Sequence, residues 1–396
     1  MTLSGEMMPN IDKARRRHLR AYRFFKPLLA PYFRWRFNIS ALPAPDIQGP
    51  CLVIANHNAD LDAVLIHLSF KDLLYFVASE HIFRAGLASK FIRRYFDPIS
   101  RLKGSTDIST VRDIMRRLKA GMKVCLFAEG NRSYNGLTCP ITPATGKLAR
   151  LCGVPLVTYK FEGGYLTTPR WADTFRRGLM RGYAVNVYSP ESLREMSDDE
   201  VNAAIAGDLH EDAYARQAVE KTRFSGKRLA EGLERSLFIC PACERVGTLR
   251  GRGNEFACDC GLRAVYDEYG YLNGAPYATV TLWDAWQGEK LAQIAAALED
   301  APAFMDPAVR LYQVTDHHTS KALYKGSAAM YRDRLDLGSF SFPIADMTDM
   351  AVYGKANVAW TCGDAHYELK ADPPLCGRNY TQLYHILKKA GDICKR

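Results

Sequence analysis

The chain has 396 residues, 47% of them hydrophobic and 24% charged, which excludes a disordered or fibrous protein and gives room for about two or three domains with their own cores. The net charge of +10 is uneven: Met1–Arg36 carries nine Lys and Arg against Glu6 and Asp12. Such a segment suits an anionic membrane surface or nucleic acid. Of the 11 cysteines, four are clustered and the rest are scattered through apolar runs, with no signal-peptide pattern ahead of them. That predicts a reducing, cytosolic-side compartment rather than a disulfide framework. No apolar run reaches the roughly 20 residues of a spanning helix, so any membrane contact is expected to be peripheral, on the cytoplasmic face.

Residues 1–44 form the basic, amphipathic N-terminal segment. Within it, Arg15–Phe37 is basic and aromatic together, with His18, Tyr22, Phe25, Leu29 and Phe33 at nearly helical spacing. Pro27 and Pro31 are expected to kink or divide that helix. An interfacial membrane anchor and a packing helix with a solvated basic face both fit. Ser40–Pro50 is a connector.

Cys51–Ala55 then reads as a buried strand. It ends in Asn56-His57-Asn58, followed by Asp60, Asp62 and an apolar run, Ala63–Leu68. A carboxylate that fixes the tautomer of His57 would make it a competent base near neutral pH. On an ideal helix, side chains five residues apart diverge by about 140°. His57 and Asp62 can therefore meet only if His57 lies in the turn before the helix, with Asn58 or Asp60 as N-cap and Asp62 in the first turn. Taken alone, the pair reads first as turn formers and caps.

Leu73–Ala78 is predicted as a strand, His81–Arg94 as a helix, and Phe96–Ser105 as a strand passing into a loop with Arg101 and Lys103. Asp107–Ala120 is a predicted helix closed by Gly121. The strand Val124–Phe127 runs into Ala128-Glu129-Gly130-Asn131-Arg132-Ser133. Gly130 permits a tight turn there, and the following N–H groups, Arg132 and Ser133 can hold an anion. The helix Thr145–Cys152 and the strand Val154–Tyr159 follow. This alternation predicts an α/β domain, a mostly parallel sheet flanked by helices.

Four blocks now stand in order: Asn56-His57-x4-Asp62; Ile99-Ser100-Arg101; Phe127-Ala128-Glu129-Gly130-Asn131-Arg132-Ser133; and Val154-Pro155-Leu156-Val157. Together they resemble the glycerolipid acyltransferase family, which includes 1-acylglycerol-3-phosphate and glycerol-3-phosphate acyltransferases. The resemblance spans about residues 45–190 and turns the His57–Asp62 pair from a capped turn into a catalytic candidate. It implies transfer of a fatty acyl group from acyl-CoA or acyl-ACP (acyl carrier protein) to a hydroxyl of a lipid acceptor such as lysophosphatidic acid. By resemblance, His57 is the general base and Asp62 orients it. Arg101, Glu129, Gly130 and Arg132 belong to the acceptor site, and Val154-Pro155 helps bound the pocket. The chain departs from the family with Ala128 in place of the usual Pro and Asn131 in place of the usual Thr, which leaves the acceptor open. Amino- or glycolipid acceptors, or an inactive lipid-binding scaffold, are the alternatives. A covalent route through Cys125, Cys139 or Cys152 is disfavoured, because Cys125 and Cys152 lie in apolar runs.

Gly163–Ser189 continues this domain, with Arg170, Arg176, Arg177 and Arg181 suited to an acidic donor or lipid headgroups, or to a solvated face. Residues 191–235 are expected to be a helical spacer that starts with a capping box, Ser197 to Glu200. Residues 236–275 contain Cys240-Pro-Ala-Cys243 and Cys258-Asp-Cys260, the spacing of a zinc ribbon with four thiolates and no open position, hence structural Zn. A redox dithiol or a nucleic-acid ribbon are the rivals; Phe256 as the only aromatic placed for stacking argues against nucleic acid. Residues 276–396 read as a stretch, Pro276–Ala301, that contains an amphipathic helix over Thr281–Asp300, then short strands over Val309–Leu369 and a closing helix, Tyr380–Ala390. On element order this β-rich domain resembles a pleckstrin-homology-like or related small barrel. His317-His318 and His366 are expected to be loop and strand residues.

Overall fold

The structure is a computed structural model and describes residues 8–79, 86–101, 108–316, 319–371 and 376–393. The described residues divide into two compact units. The first contains residues up to 101, 108–169 and 177–224; the second contains 170–176 and everything from 225 onward. Lys103 and His317-His318 lie outside the described residues, as does the first part of the helix expected from His81.

The first unit is built on seven strands: β1 (Ile39–Ala41), β2 (Leu52–Ala55), β3 (Leu74–Ser79), β4 (Ile99–Arg101), β5 (Lys123–Phe127), β6 (Leu156–Glu162) and β7 (Met180–Tyr188). Their order is β1-β7-β6-β2-β5-β3-β4. All neighbours are parallel except β6 and β7. This is the mostly parallel sheet the alternation predicts. The central strand β2 is wholly buried, as an apolar run covered on both faces must be. Flanking it are α1 (Met8–Phe37), α2 (Asp62–Leu65), α3 (Gly86–Tyr95), α4 (Ile108–Lys119), α5 (Ala144–Cys152), α6 (Gly164–Thr167), α7 (Pro190–Glu195), α8 (Asp198–Leu209) and α9 (Ala213–Glu220).

Two expectations change here. The helix α1 runs unbroken through Pro27 and Pro31. Both prolines sit on its exposed face, while His18, Tyr22 and Phe37 are buried on the other. Packing on that inner face outweighs the two lost backbone hydrogen bonds. The cations on the packed side also cap other elements. Arg15 donates to the carbonyls of Ala120 and Gly121 just past α4, and Arg17 to that of Arg94 in the last turn of α3. Positive charge at helix C-termini is favourable, since the carbonyls there lack partners.

The segment expected as a helical spacer, 191–235, is helical in α7, α8 and α9, but α7 and α8 are part of the core of the first unit. Leu193 of α7 and Val201, Ile205 and Leu209 of α8 share a buried cluster with Leu52, Ile54 and Val124 of the sheet. The capping box is present: the Ser197 side chain accepts from Glu200 N–H while the Glu200 carboxylate accepts from Ser197 N–H. The acidic residues seen in sequence are the outer face of a helix whose inner face is core.

The second unit holds two antiparallel sheets. The small one, in order β11-β10-β9-β8, consists of β8 (Leu249–Arg252), β9 (Glu255–Cys258), β10 (Arg263–Tyr266) and β11 (Leu272–Asn273). After α10 (Val280–Ala297) come β12 (Phe304–Asp316), β13 (Thr319–Met330), β14 (Arg334–Leu337), β15 (Phe340–Pro343), β16 (Met347–Tyr353), β17 (Asn357–Cys362) and β18 (Ala365–Ala371), then α11 (Gly377–Ile393). Their order is β15-β14-β13-β12-β18-β17-β16. Residues of α10, α11 and this sheet share one core around Leu291, Met330, Trp360, Tyr380 and Leu383, which Phe238 and Ile239 also enter.

Residues 170–176 belong to this second unit, which corrects the expectation that 163–189 is continuous with the first domain. Arg170 donates to the carbonyl of Val352 at 3.0 Å. Arg176 is fully buried, its guanidinium lying between the rings of Trp171 and Tyr266 at 4.7 and 4.9 Å. In the first unit Arg181 pairs with Glu220 at 2.7 Å. Arg170 and Arg176 are committed to packing and Arg181 to an ion pair, while Arg177 is exposed. Among the described residues, no helix is long and apolar enough to cross a membrane.

Candidate active site

The register of the parallel sheet assembles the site. Ala55 at the end of β2 pairs with Phe127 at the end of β5. His57 and Glu129 each lie two residues beyond that pair, so the two loops leave the same edge side by side. Catalytic groups of open α/β sheets lie at this carboxyl edge.

His57 Nδ1 is 3.0 Å from Asp62 Oδ2. The Asp62 side chain is fully buried, while that of His57 is 24% exposed. A carboxylate can only accept, so Nδ1 carries the proton and the basic lone pair lies on Nε2. Oδ2 also accepts from the N–H groups of Asn58 at 2.7 Å and Ala59 at 2.8 Å. The carboxylate thus organises the turn that holds His57 as well as orienting its ring. The expected N-cap is corrected by this geometry. Leu61 occupies the N-cap position with no side-chain cap. Asn58 instead donates to the carbonyl of Phe161, and Asp60 pairs with Arg132 at 2.9 Å.

The loop after β5 grips the His57 backbone from both sides. His57 N–H donates to Glu129 Oε1 at 2.7 Å, and Ser133 N–H donates to the His57 carbonyl at 3.2 Å. The other Glu129 oxygen accepts from Cys139 N–H at 2.6 Å. Burial pushes the Glu129 carboxyl up to about 8, against the pull of those two N–H groups in the other direction. Gly130 has φ +66, the left-handed conformation the turn requires. Arg101 Nη1 would lie 4.0 Å from a Cβ at Gly130. Arg101, Gly130 and Arg132 are therefore brought near His57. Arg132 is largely buried, and besides Asp60 it contacts the Thr168 carbonyl at 3.4 Å.

Val154-Pro155 lies elsewhere. The Pro155 carbonyl accepts from Leu52 N–H at the start of β2. In a parallel pair that is the opposite end of the strand from His57, about 16 Å away along five residues. It does not bound the pocket at His57.

Two residues named within the blocks receive no role from sequence alone. Asn56 clamps β2 to β6: its amide donates to the Phe161 carbonyl at 2.8 Å and accepts from Phe161 N–H at 2.7 Å. Phe127 stacks on the His57 ring, with centroids 4.3 Å apart and planes at 19°. Both contacts depend on strand register, which no local spacing encodes. A stacked aromatic also shields one face of the imidazole, so Phe127→Ala is expected to lower turnover severalfold while Phe127→Tyr retains it, a comparison read from steady-state kcat. Cysteine nucleophiles are disfavoured by burial, which holds Cys125 well above the usual thiol range and pushes Cys152 up to about 11.

In sum this is a buried carboxylate orienting a part-exposed imidazole, with two arginines nearby, at the carboxyl edge of a mostly parallel sheet. Residues 36–162 match the family model described as Acyltransferase. That stretch, about a third of the chain, contains His57, Asp62, Arg101, Glu129 and Arg132. A solved structure similar to the chain is that of the 1-acyl-sn-glycerophosphate (LPA) acyltransferase, PlsC, from Thermotoga maritima; it is 20% identical, covers 52% of this chain and 84% of that chain, and has a TM-score of 0.42.

Proposed function

We propose that the protein transfers a fatty acyl group from acyl-CoA or acyl-ACP to the hydroxyl of a lysophosphatidic-acid-like acceptor. The observation that carries this is the 3.0 Å contact between His57 Nδ1 and buried Asp62, set beside the arginine-bearing loop. His57 Nε2 takes the proton of the acceptor hydroxyl as its oxygen attacks the thioester carbonyl. Asp62 stabilises the imidazolium that forms. Collapse of the tetrahedral intermediate breaks the carbon–sulfur bond, and the imidazolium returns the proton to the departing thiolate. Arg101 and Arg132 position an anionic headgroup.

The test is release of free thiol from acyl-CoA and from acyl-ACP, with a panel of lyso-acceptors differing in headgroup. Acceptor-dependent release with an anionic acceptor is expected; release with none of them would reject the reaction. Arg132→Ala is expected to raise KM for an anionic acceptor by about 10–100-fold, the size of one charge-assisted contact. An anionic acceptor used equally well by wild type and variant would remove Arg132 from headgroup recognition.

Peripheral binding to an anionic membrane through α1 belongs to the same proposal. Phe24, Leu28, Tyr32 and Trp35 are all more than half exposed on this helix, and Lys13, Arg16, Arg20 and Arg23 are exposed beside them. An apolar stripe next to cations is the pattern that inserts at a charged interface. Sedimentation with vesicles containing anionic lipid is expected to fall severalfold in Phe24→Ser/Trp35→Ser and to weaken in high salt; unchanged sedimentation would remove α1 from membrane binding. For the C-terminal domain, a pleckstrin-homology-like architecture is supported by seven antiparallel strands, with the first paired to the last, followed by a helix.

A further inference from the structure

We infer that Cys240, Cys243, Cys258 and Cys260 hold one zinc ion in a closed tetrathiolate site that fastens the small four-stranded sheet to α10. This stands apart from the acyltransfer reaction and survives its failure. All four Sγ atoms lie within 4.8 Å of one another. Cys240 and Cys260 are 3.6 Å apart, and Cys243 and Cys258 are 3.7 Å apart. Zinc bound by thiolates at about 2.3 Å in a tetrahedron gives sulfur–sulfur edges of about 3.8 Å. The two measured pairs have the length of such edges.

The ligands come from two turns that face each other. Cys240 and Cys243 lie in the turn ahead of β8; Cys258 ends β9 and Cys260 follows it. Glu244 at φ 58 and Gly261 at φ 103 bend the chain back just after each pair. The Thr248 hydroxyl is 3.1 Å from Cys258 Sγ. A thiolate can only accept, so with metal bound that hydroxyl would donate to Cys258 and offset part of the negative charge that four thiolates bring together. Soft sulfur ligands in this geometry select zinc over hard oxygen-seeking cations. With four sulfurs and no vacant position, the ion would be structural rather than catalytic.

The strands involved need such a fastening. They have two to four residues each, too short for a sheet that stands alone. The first turn is seated on α10 by its preceding residues: Phe238 and Ile239 N–H groups donate to Gln287 Oε1 at 2.6 and 3.0 Å, and Trp283 Nε1 donates to the Ile239 carbonyl at 3.0 Å. The second is seated by Phe256 of β9, fully buried with its ring 5.6 Å from that of Trp283. That burial also removes Phe256 as a platform for nucleotide bases. A metal between the two turns would cross-link two attachments to one helix.

The experiment uses the full chain, purified reduced and without chelator. Elemental analysis is expected to give about one zinc per chain. Protein grown on cobalt is expected to show the charge-transfer and visible bands of a tetrahedral thiolate site. Cys260 is exposed, so Cys260→Ser leaves the core untouched; it is expected to lose zinc to a chelator at least tenfold faster than wild type. Metal-free protein, two disulfides found by mass spectrometry, or zinc retention unchanged in Cys260→Ser would each overturn the site. Iron in place of zinc would overturn the identity of the metal.

Discussion

His57→Ala is expected to lower acceptor-dependent thiol release by about 10²–10⁴-fold, the contribution of a positioned general base. An aliphatic hydroxyl is barely ionised at neutral pH, so the rate of attack depends on a base that receives its proton as the bond forms. The fold should survive the substitution. The His57 side chain is partly exposed, and Asp62 keeps its bonds from Asn58 and Ala59 when the imidazole is gone. Asp62→Asn provides the second measurement. The amide oxygen can take the place of Oδ2, which alone accepts the three donors, but the negative charge that stabilises the imidazolium is gone. A comparable loss in kcat is expected, with circular dichroism and the melting transition near wild type. Equal activity of His57→Ala and wild type would dismiss the pair from catalysis.

Glu129→Gln is expected to reduce kcat more than it changes KM. Both Glu129 oxygens accept backbone N–H groups, one from His57 and one from Cys139. This makes Glu129 a positioning residue in our reading, a clasp between two loops, in contrast to the acceptor-site role implied by resemblance. The amide of Gln must set its own NH₂ against one of those donors. A buried donor left without an acceptor costs about 1–3 kcal/mol. The strain falls on the segment that carries His57, where a shift of about 1 Å can cost about 10²-fold in rate. A rise in KM with kcat intact would return Glu129 to the acceptor site.

A pH signature accompanies this variant. The Glu129 carboxyl is raised from 4.5 to about 8 by burial. Between those values the folded protein holds a proton that the unfolded chain has released. Stability from this group is full below about 4.5 and is lost as pH rises through about 8. The melting temperature of wild type should therefore carry a downward slope over that window, and Glu129→Gln should flatten it. An identical slope in both proteins would assign the effect to other groups, such as Glu211, which burial raises to about 7.

Much of the site was legible because its chemistry is written in short, local spacings. His57 and Asp62 are five residues apart, Gly130 marks a turn, and the four cysteines fall in two tight pairs. What each group grips was not legible. Glu129 resembles an acceptor ligand in sequence, and only the pairing of Ala55 with Phe127 reveals that it faces a backbone N–H. Arg132 reads as a free cation until Asp60 is found beside it. Val154-Pro155 belongs to the same ordered blocks as His57, yet parallel pairing puts it at the other end of the strand.

Sequence by itself determined the alternation of strand and helix, the pairing of His57 with Asp62, and the cluster of four cysteines, since these rest on residue type and on separations of a few positions. Only the tertiary structure decided that α1 continues through two prolines, that the acidic segment after β7 is core, that residues 170–176 belong to the second unit, and that the loop after β5 holds His57 by its backbone. These outcomes come from contacts between residues tens to hundreds of positions apart. Their energies come from burial and from satisfying buried backbone donors, and neither quantity has a value until the chain has folded.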